Sequence, residues 1–218
     1  MVNLRDVSKR FGKCTALWPT AFNMAEGRVY GLWGRNGAGK TTMIRLIAGL
    51  LAPDEGHVEV LGRDPAKDWR IRRQIGLVED GDAYFPELTV DEFLWWVGRL
   101  RSVDDDVCDS LIKAIAARLY LKEQLADEMG SLSHGMRRKT LLASAFIGRP
   151  KVILLDEPTT GLDVDSVDSL ACLLEEHRGE GGTAVIACHD QGFVEKVCSD
   201  VIELDSGKIV GHNVTRRL

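Results

Sequence analysis

No apolar run in this sequence approaches the roughly 18 residues that a bilayer-crossing helix requires, so no segment reads as a membrane span. The opening residues, MVNLRDVSKRFGK, place charges where a signal peptide would carry its apolar core, which argues against secretion. Cysteine is sparse and scattered: Cys14, Cys108, Cys172, Cys188 and Cys198 form no C-x-x-C pair. That spacing excludes a disulfide scaffold and a cysteine zinc cluster, and leaves reduced, mostly core thiols. Cys188 beside His189 supplies two ligands where a zinc site needs a second pair. Low-complexity linkers and internal repeats are also missing, so the chain reads as one compact unit. Charge of one sign is not in large excess. The net charge of −5 argues against a surface that tracks nucleic acid, and no nucleic-acid partner is expected.

What is present fits a soluble globular protein. The 218 residues are 44% hydrophobic and 28% charged, enough for one large domain or two small ones. Three short Val/Ile/Leu-rich runs, VYGLW (29–33), KVILLD (151–156) and TAVIACH (183–189), have the pattern of strands buried on both faces, as in a parallel sheet. Each is followed by a turn and a helical pattern, which predicts a layered α/β fold with a mainly parallel sheet. VNLRDV, HVEVLG and DVIELDSGKIV alternate in hydrophobicity, the last around a Ser206-Gly207 turn. They are expected to form an antiparallel β piece beside that sheet. From about residue 86 to 148 the signals are helical. Thr89 and Glu92 make a capping box, and Val107, Leu111, Ile115 and Leu119 mark an apolar stripe at i, i+4. The expectation is a single domain with an α/β core at 1–85 and 149–218 and a helical subdomain inserted at about 86–148.

After the first buried strand comes GRNGAGKTT, residues Gly34, Arg35, Asn36, Gly37, Ala38, Gly39, Lys40, Thr41 and Thr42. It fits G-x-x-x-x-G-K-[ST] in the strand-to-helix setting that gives the motif its meaning. Glycines let successive N–H groups curl toward phosphate oxygens where a Cβ would block them. Lys40 reaches the β and γ phosphates, Thr41 offers a hydroxyl to Mg²⁺, and a helix from Lys40 to about Leu51 points its positive end at the same charge. A nucleoside triphosphate and Mg²⁺ are therefore the expected ligands. The strand Val152–Asp156 ends in a carboxylate at the edge where such sheets bind ligands, suited to holding the metal. Glu157 follows as a second acid, placed to take a proton from attacking water; the plainer reading is an exposed charge at a strand end.

SLSHGMRRK, Ser131 to Lys139, admits two readings. A serine before a helix is an ordinary N-cap, or the same serine is half of an active site. The motif order favours the second. GRNGAGKTT, SLSHGM, VILLDEP, TTGLD and CHD together resemble the ATP-binding cassette (ABC) ATPases over nearly the whole chain, with a P-loop NTPase core. In that family two cassettes pack head to tail and each ATP lies between one subunit's phosphate loop and the other's signature segment. The resemblance implies that Ser133 and Gly135 contact the γ-phosphate of an ATP held by a partner chain. It further implies that Glu157 is the general base, that His189 contacts the γ-phosphate and orients water, and that Asp163 communicates across the dimer. Phe11 matches the aromatic position that stacks on adenine; the alternative for it is a plain core packer.

Two departures stand out. The usual LSGGQ is LSHGM here, with His134 and Met136 replacing a glycine and a glutamine while Ser133 and Gly135 remain. The glutamine after the IGYVP-like run is Asp80, which can offer Mg²⁺ a hard oxygen but cannot donate a hydrogen bond when ionised. In detail the chain looks like cassettes of bacterial exporters whose membrane subunits are separate polypeptides. That implies a second ABC ATPase subunit, most simply a second copy, and a transmembrane permease subunit as partners. It also implies a cytoplasmic location on the inner face of the membrane. Tyr84, Phe85, Trp95 and Trp96 lie where such a permease would dock, or else fold back onto the helical lobe. The rival function is a soluble ABC-type ATPase acting in translation or DNA repair.

Overall fold

The structure, a computed structural model, describes residues 1–81 and 83–215. Five parallel strands form most of the central sheet: β3 (Val29–Trp33), β5 (Ile75–Val78), β6 (Val152–Asp156), β7 (Thr183–Ala187) and β8 (Asp200–Asp205). With β9 (Lys208–Val214) antiparallel at one edge, the order is β5-β6-β7-β3-β8-β9. The two-residue pleat explains why the central strands are apolar throughout. In β6, Val152 and Leu154 enter one core while Ile153 and Leu155 enter the other, and β7 divides Val185 from Ile186 in the same way.

One face of this sheet packs against α1 (Lys40–Ile47) and a three-stranded antiparallel sheet. That sheet contains β1 (Val2–Phe11), β2 (Cys14–Met24) and β4 (Glu55–Val60) in the order β2-β1-β4. The other face packs against α6 (Val164–Gly179), α7 (Gln191–Val197) and a helical group. The group comprises α3 (Val90–Leu100), α4 (Asp105–Arg118) and α5 (His134–Phe146), and a short α2 (Trp69–Arg72) precedes β5. The capping box forms as expected: the Glu92 carboxylate accepts from the Thr89 backbone at 2.8 Å and Thr89 Oγ1 accepts from Glu92 N. No described helix is long and apolar enough to cross a membrane.

Three local expectations are corrected, and two strands carry no clear signal. The DVIELDSGKIV hairpin belongs to the main sheet, because Asp200 locks its start beside β3: it accepts both Arg28 Nη1 contacts, at 2.8 and 3.0 Å, and faces His212 Nε2 at 3.0 Å. Strands β2 and β5 lack clear sequence signals, since β2 contains Pro19 and pairs with β1 through register shifts, and β5 has only four residues. The buried face of α4 runs through Cys108, Ile112, Ile115 and Ala116; of the expected stripe Ile115 and the capping Leu119 are buried, while Val107 is exposed. Helix α1 stops at Ile47 rather than near Leu51, closed by Gly49 N donating to Leu46 O and Leu50 N to Arg45 O.

Candidate active site

Register decides where the chemistry sits. Ala187 lies opposite both Leu32 and Asp156, so β3, β6 and β7 end together and their following loops share one edge of the sheet. The loop after β3 runs close against the backbones of β8 and β2. A Cβ on Gly34 would lie 2.2 Å from Leu204 O, and Gly39, at φ +105°, would place one 2.6 Å from Ala16 O. Gly39 is the N-cap of α1, with no side chain closing the helix end. Its unpaired N–H groups and the helix dipole are therefore free to meet an anion. Lys40 is buried, and its Nζ donates to Gly34 O at 2.7 Å and Arg35 O at 3.3 Å, holding the ammonium across the loop.

Asp156 is 1% exposed and its Oδ2 has no hydrogen-bond partner. The Thr41 hydroxyl hydrogen-bonds this carboxylate. Burial first, then the charges of Asp80 and Glu157, hold the Asp156 carboxyl above the ordinary range, against the pull of Thr41 and Lys40. A buried, charged oxygen without a partner fits a divalent cation. Among the described residues no three His, Cys, Asp or Glu side chains converge as a metal cluster. A cation here would rely on Thr41, Asp156 and phosphate oxygens, with Asp80 on the same wall. The cavity measures about 440 Å³ and is lined by Phe11, the 36–42 loop, Asp80, Asp156 and Glu157. Phe11 is exposed at its mouth, with Lys9 Nζ 5.8 Å from the ring centre, which rules out the core-packer reading.

Glu157 adopts a left-handed backbone at φ +48°, a conformation costing a side-chain-bearing residue about 1–3 kcal/mol. Its carboxylate is mostly buried, and Oε2 lies 2.7 Å from Nδ1 of the exposed His189. The His189 backbone N–H points at the same oxygen, at 3.4 Å. The turn bearing His189 is closed by Asp190, whose carboxylate accepts from Phe193 N at 3.0 Å to cap α7. Cys188 is buried, and burial pushes its thiol up, which suits packing rather than ligation.

The signature segment stands apart. Ser133 is the N-cap of α5, its Oγ accepting from Met136 N at 3.3 Å, and it remains exposed. Gly135 packs against Gly161, where a Cβ would come 2.9 Å from the carbonyl oxygen. Asp163 caps α6, accepts from Ser166 N at 2.8 Å and pairs with Lys139 at 2.7 Å; Lys139 and then Ser166 hold its carboxyl far below the ordinary range. None of Ser133, Gly135 and Asp163 lines the cavity of its own chain. Sequence reasoning missed Cys14 and Thr15, which line the cavity beside Phe11, and Arg138, whose charge is buried. A run of RRK reads as a solvated face, and nothing in its spacing distinguishes the one arginine that points inward.

The family model for "ABC transporter" matches residues 17–160. The chain belongs to the ABC transporter family. It is 32% identical over 218 residues to the Nod factor export ATP-binding protein I of Burkholderia lata, covering 100% of this chain and 72% of that protein. It is 33% identical over 214 residues to the glutamine transport ATP-binding protein GlnQ of Escherichia coli K12, covering 96% and 89%. Among solved structures it is similar to the dimeric post-hydrolysis state of the ATP-binding cassette MJ0796 bound to ADP and Pi. That likeness has a TM-score of 0.90 and 25% identity, with both chains covered in full. The protein is accordingly an ATP-binding ATPase of the ABC transporter family.

A second concave surface of this ABC ATPase lies between α2, β5 and α3. The groove, about 700 Å³, is lined by Trp69, Arg73, Phe85, Trp96 and Leu100 among others. Phe85 and Trp96 are both exposed and meet edge to face at 5.0 Å, and the Arg73 guanidinium lies 4.7 Å from the centre of the exposed Trp69 ring. Trp95 and Tyr84 instead pack partly against the core.

Proposed function

We propose that this chain is the ATP-hydrolysing subunit of a transporter, working as a dimer that grips each ATP between two chains and drives separate transmembrane subunits, in the direction of export. It forms one cassette domain, with a core at 1–85 and 149–218 and a helical insertion at about 86–148. The observation that carries the reading is the split site: the phosphate loop, Asp156 and Glu157 share one cavity, while Ser133 and Gly135 present an exposed helix start elsewhere.

Phe11 stacks on the adenine. The amides of Gly34, Arg35, Asn36, Gly37, Ala38, Gly39 and Thr42 together with Lys40 cradle the phosphates, and Thr41, Asp156 and Asp80 hold Mg²⁺. When bound, the cation neutralises charge that develops on the transferring phosphoryl group. Glu157 takes the proton from the attacking water. His189 orients Glu157 through the 2.7 Å Nδ1–Oε2 contact and contacts the γ-phosphate. Ser133 and the N–H of Gly135, at the N-terminus of α5, complete the anion cradle of the opposite chain, and Asp163 links the two sites.

The exposed aromatic groove between α2, β5 and α3 supports a permease partner and a peripheral position on the inner face of the membrane. The name of the Nod factor relative supports export. The test of the catalytic assignment is Glu157→Gln, which should keep ATP binding and lower turnover by about 10² to 10⁴-fold, the contribution of a positioned base. Near-normal turnover would remove Glu157 from that role.

A further inference from the structure

We propose that Arg138 is a positioning residue for hydrolysis, fixing through the backbone the direction in which Glu157 points; the idea rests on the reading of Glu157 as the base. Arg138 lies in the second turn of α5 and is 3% exposed. Its guanidinium donates to Asp156 O at 2.6 Å, Glu157 O at 2.8 Å and Glu79 O at 2.7 Å.

The geometry of these acceptors gives the residue its consequence. Asp156 O belongs to the peptide plane before Glu157, and Glu157 O to the plane after it. The first plane is held from its other side as well, because Glu157 N donates to Ala187 O at 2.8 Å. Fixing both planes that flank a residue fixes its φ and ψ, and hence the direction of its Cβ. Glu157 needs such support, since its left-handed backbone is sparsely populated by any residue with a side chain. With the planes held, the carboxylate lies 2.7 Å from His189 Nδ1.

The third bond keeps the guanidinium in place. Glu79 O also accepts from Gly81 N at 2.9 Å, and the Glu79 carboxylate pairs with Arg45 of α1 at 2.7 Å. Arg138 therefore ties a turn anchored on the phosphate-loop helix to the peptide planes around the base. A planar fork of donors serves several carbonyls at once, whereas a lysine ammonium on its flexible stem would not hold the same set. Misplacing a reacting group by about 1 Å can cost on the order of 10²-fold in rate.

The experiment uses the full chain with Arg138→Met and Arg138→Lys, alone and combined with Glu157→Gln, measuring ATP affinity, steady-state kcat and KM, and single-turnover rates. Arg138→Met should lower kcat by roughly 10 to 10²-fold with ATP affinity and KM changed less than about threefold, and Arg138→Lys should fall between it and the parent. In the Glu157→Gln background Arg138→Met should cost less than about twofold more, because a residue acting through the base has nothing left to position. Should Arg138→Met fail to fold, a folded Arg138→Lys with reduced kcat supports the proposal and one with parental kcat overturns it. Equal fractional losses in both backgrounds, or a loss confined to ATP affinity, also overturn it. A fully active Arg138→Met beside an inactive Glu157→Gln sinks the positioning role alone, whereas an active Glu157→Gln sinks the base assignment itself.

Discussion

Asp156 is held in the fold at a cost to stability. Its carboxylate is buried, one oxygen has no hydrogen-bond partner, and burial with neighbouring negative charge raises its pKa. Because the fold raises this pKa, the ionised carboxylate lowers stability at pH values above the ordinary aspartate range. Asp156→Asn removes that charge in the same volume. It should raise Tm of the nucleotide-free protein by about 2–4 °C if the relief is of the order of 1 kcal/mol, while lowering Mg²⁺-dependent ATP turnover by about 10²-fold or more. Thermal melts beside turnover measurements check this; a variant that loses both stability and activity would make Asp156 an ordinary core residue. The placement of Lys40, Thr41 and Asp156 around one cavity was legible in the sequence because each rests on a local spacing next to one strand end. That of Arg138 was not, because its three acceptors lie in segments remote from it in sequence.

Among the elements, the proposal gives α5 two roles at its N-cap. Ser133 caps the helix, and in the proposed assembly it also faces a phosphate. The two roles separate by substitution. Ser133→Ala removes the cap and should lower stability by about 1 kcal/mol, whereas Ser133→Asp restores the cap and places a negative charge against the γ-phosphate. Tm should therefore recover in the aspartate variant while ATP turnover stays low. Recovery of both together would reduce Ser133 to a helix cap. The same distinction shows what sequence reveals about elements. Fully apolar β3, β6 and β7 declared themselves because both faces are buried, while β2 was hidden by Pro19 and its bulges against β1. The α4 stripe is buried at Ile115 and Leu119 and partly at Leu111, but fails at its first position, where Val107 is apolar yet exposed and the helix turns Cys108 inward instead.

At the scale of the whole molecule, two surfaces stand out among the described residues: the exposed start of α5 and the aromatic groove between α2, β5 and α3. The groove separates binding from chemistry. Trp96 is exposed, meets Phe85 edge to face and does not line the nucleotide cavity. Trp96→Ala should weaken recruitment to membranes bearing the permease while leaving ATP turnover of the isolated protein within about twofold, as measured by co-sedimentation and turnover on the same preparation. Loss of both in equal measure would contradict the assignment. For the proposed split site, no pattern within one sequence could show its completion, and only the family resemblance implied the second chain. The most direct test of that shared site is the mass in solution of the Glu157→Gln variant with ATP and Mg²⁺, determined by light scattering during size exclusion. The account predicts twice the mass of one chain with ATP and a single chain without it. A single-chain mass with ATP bound at high protein concentration would contradict it.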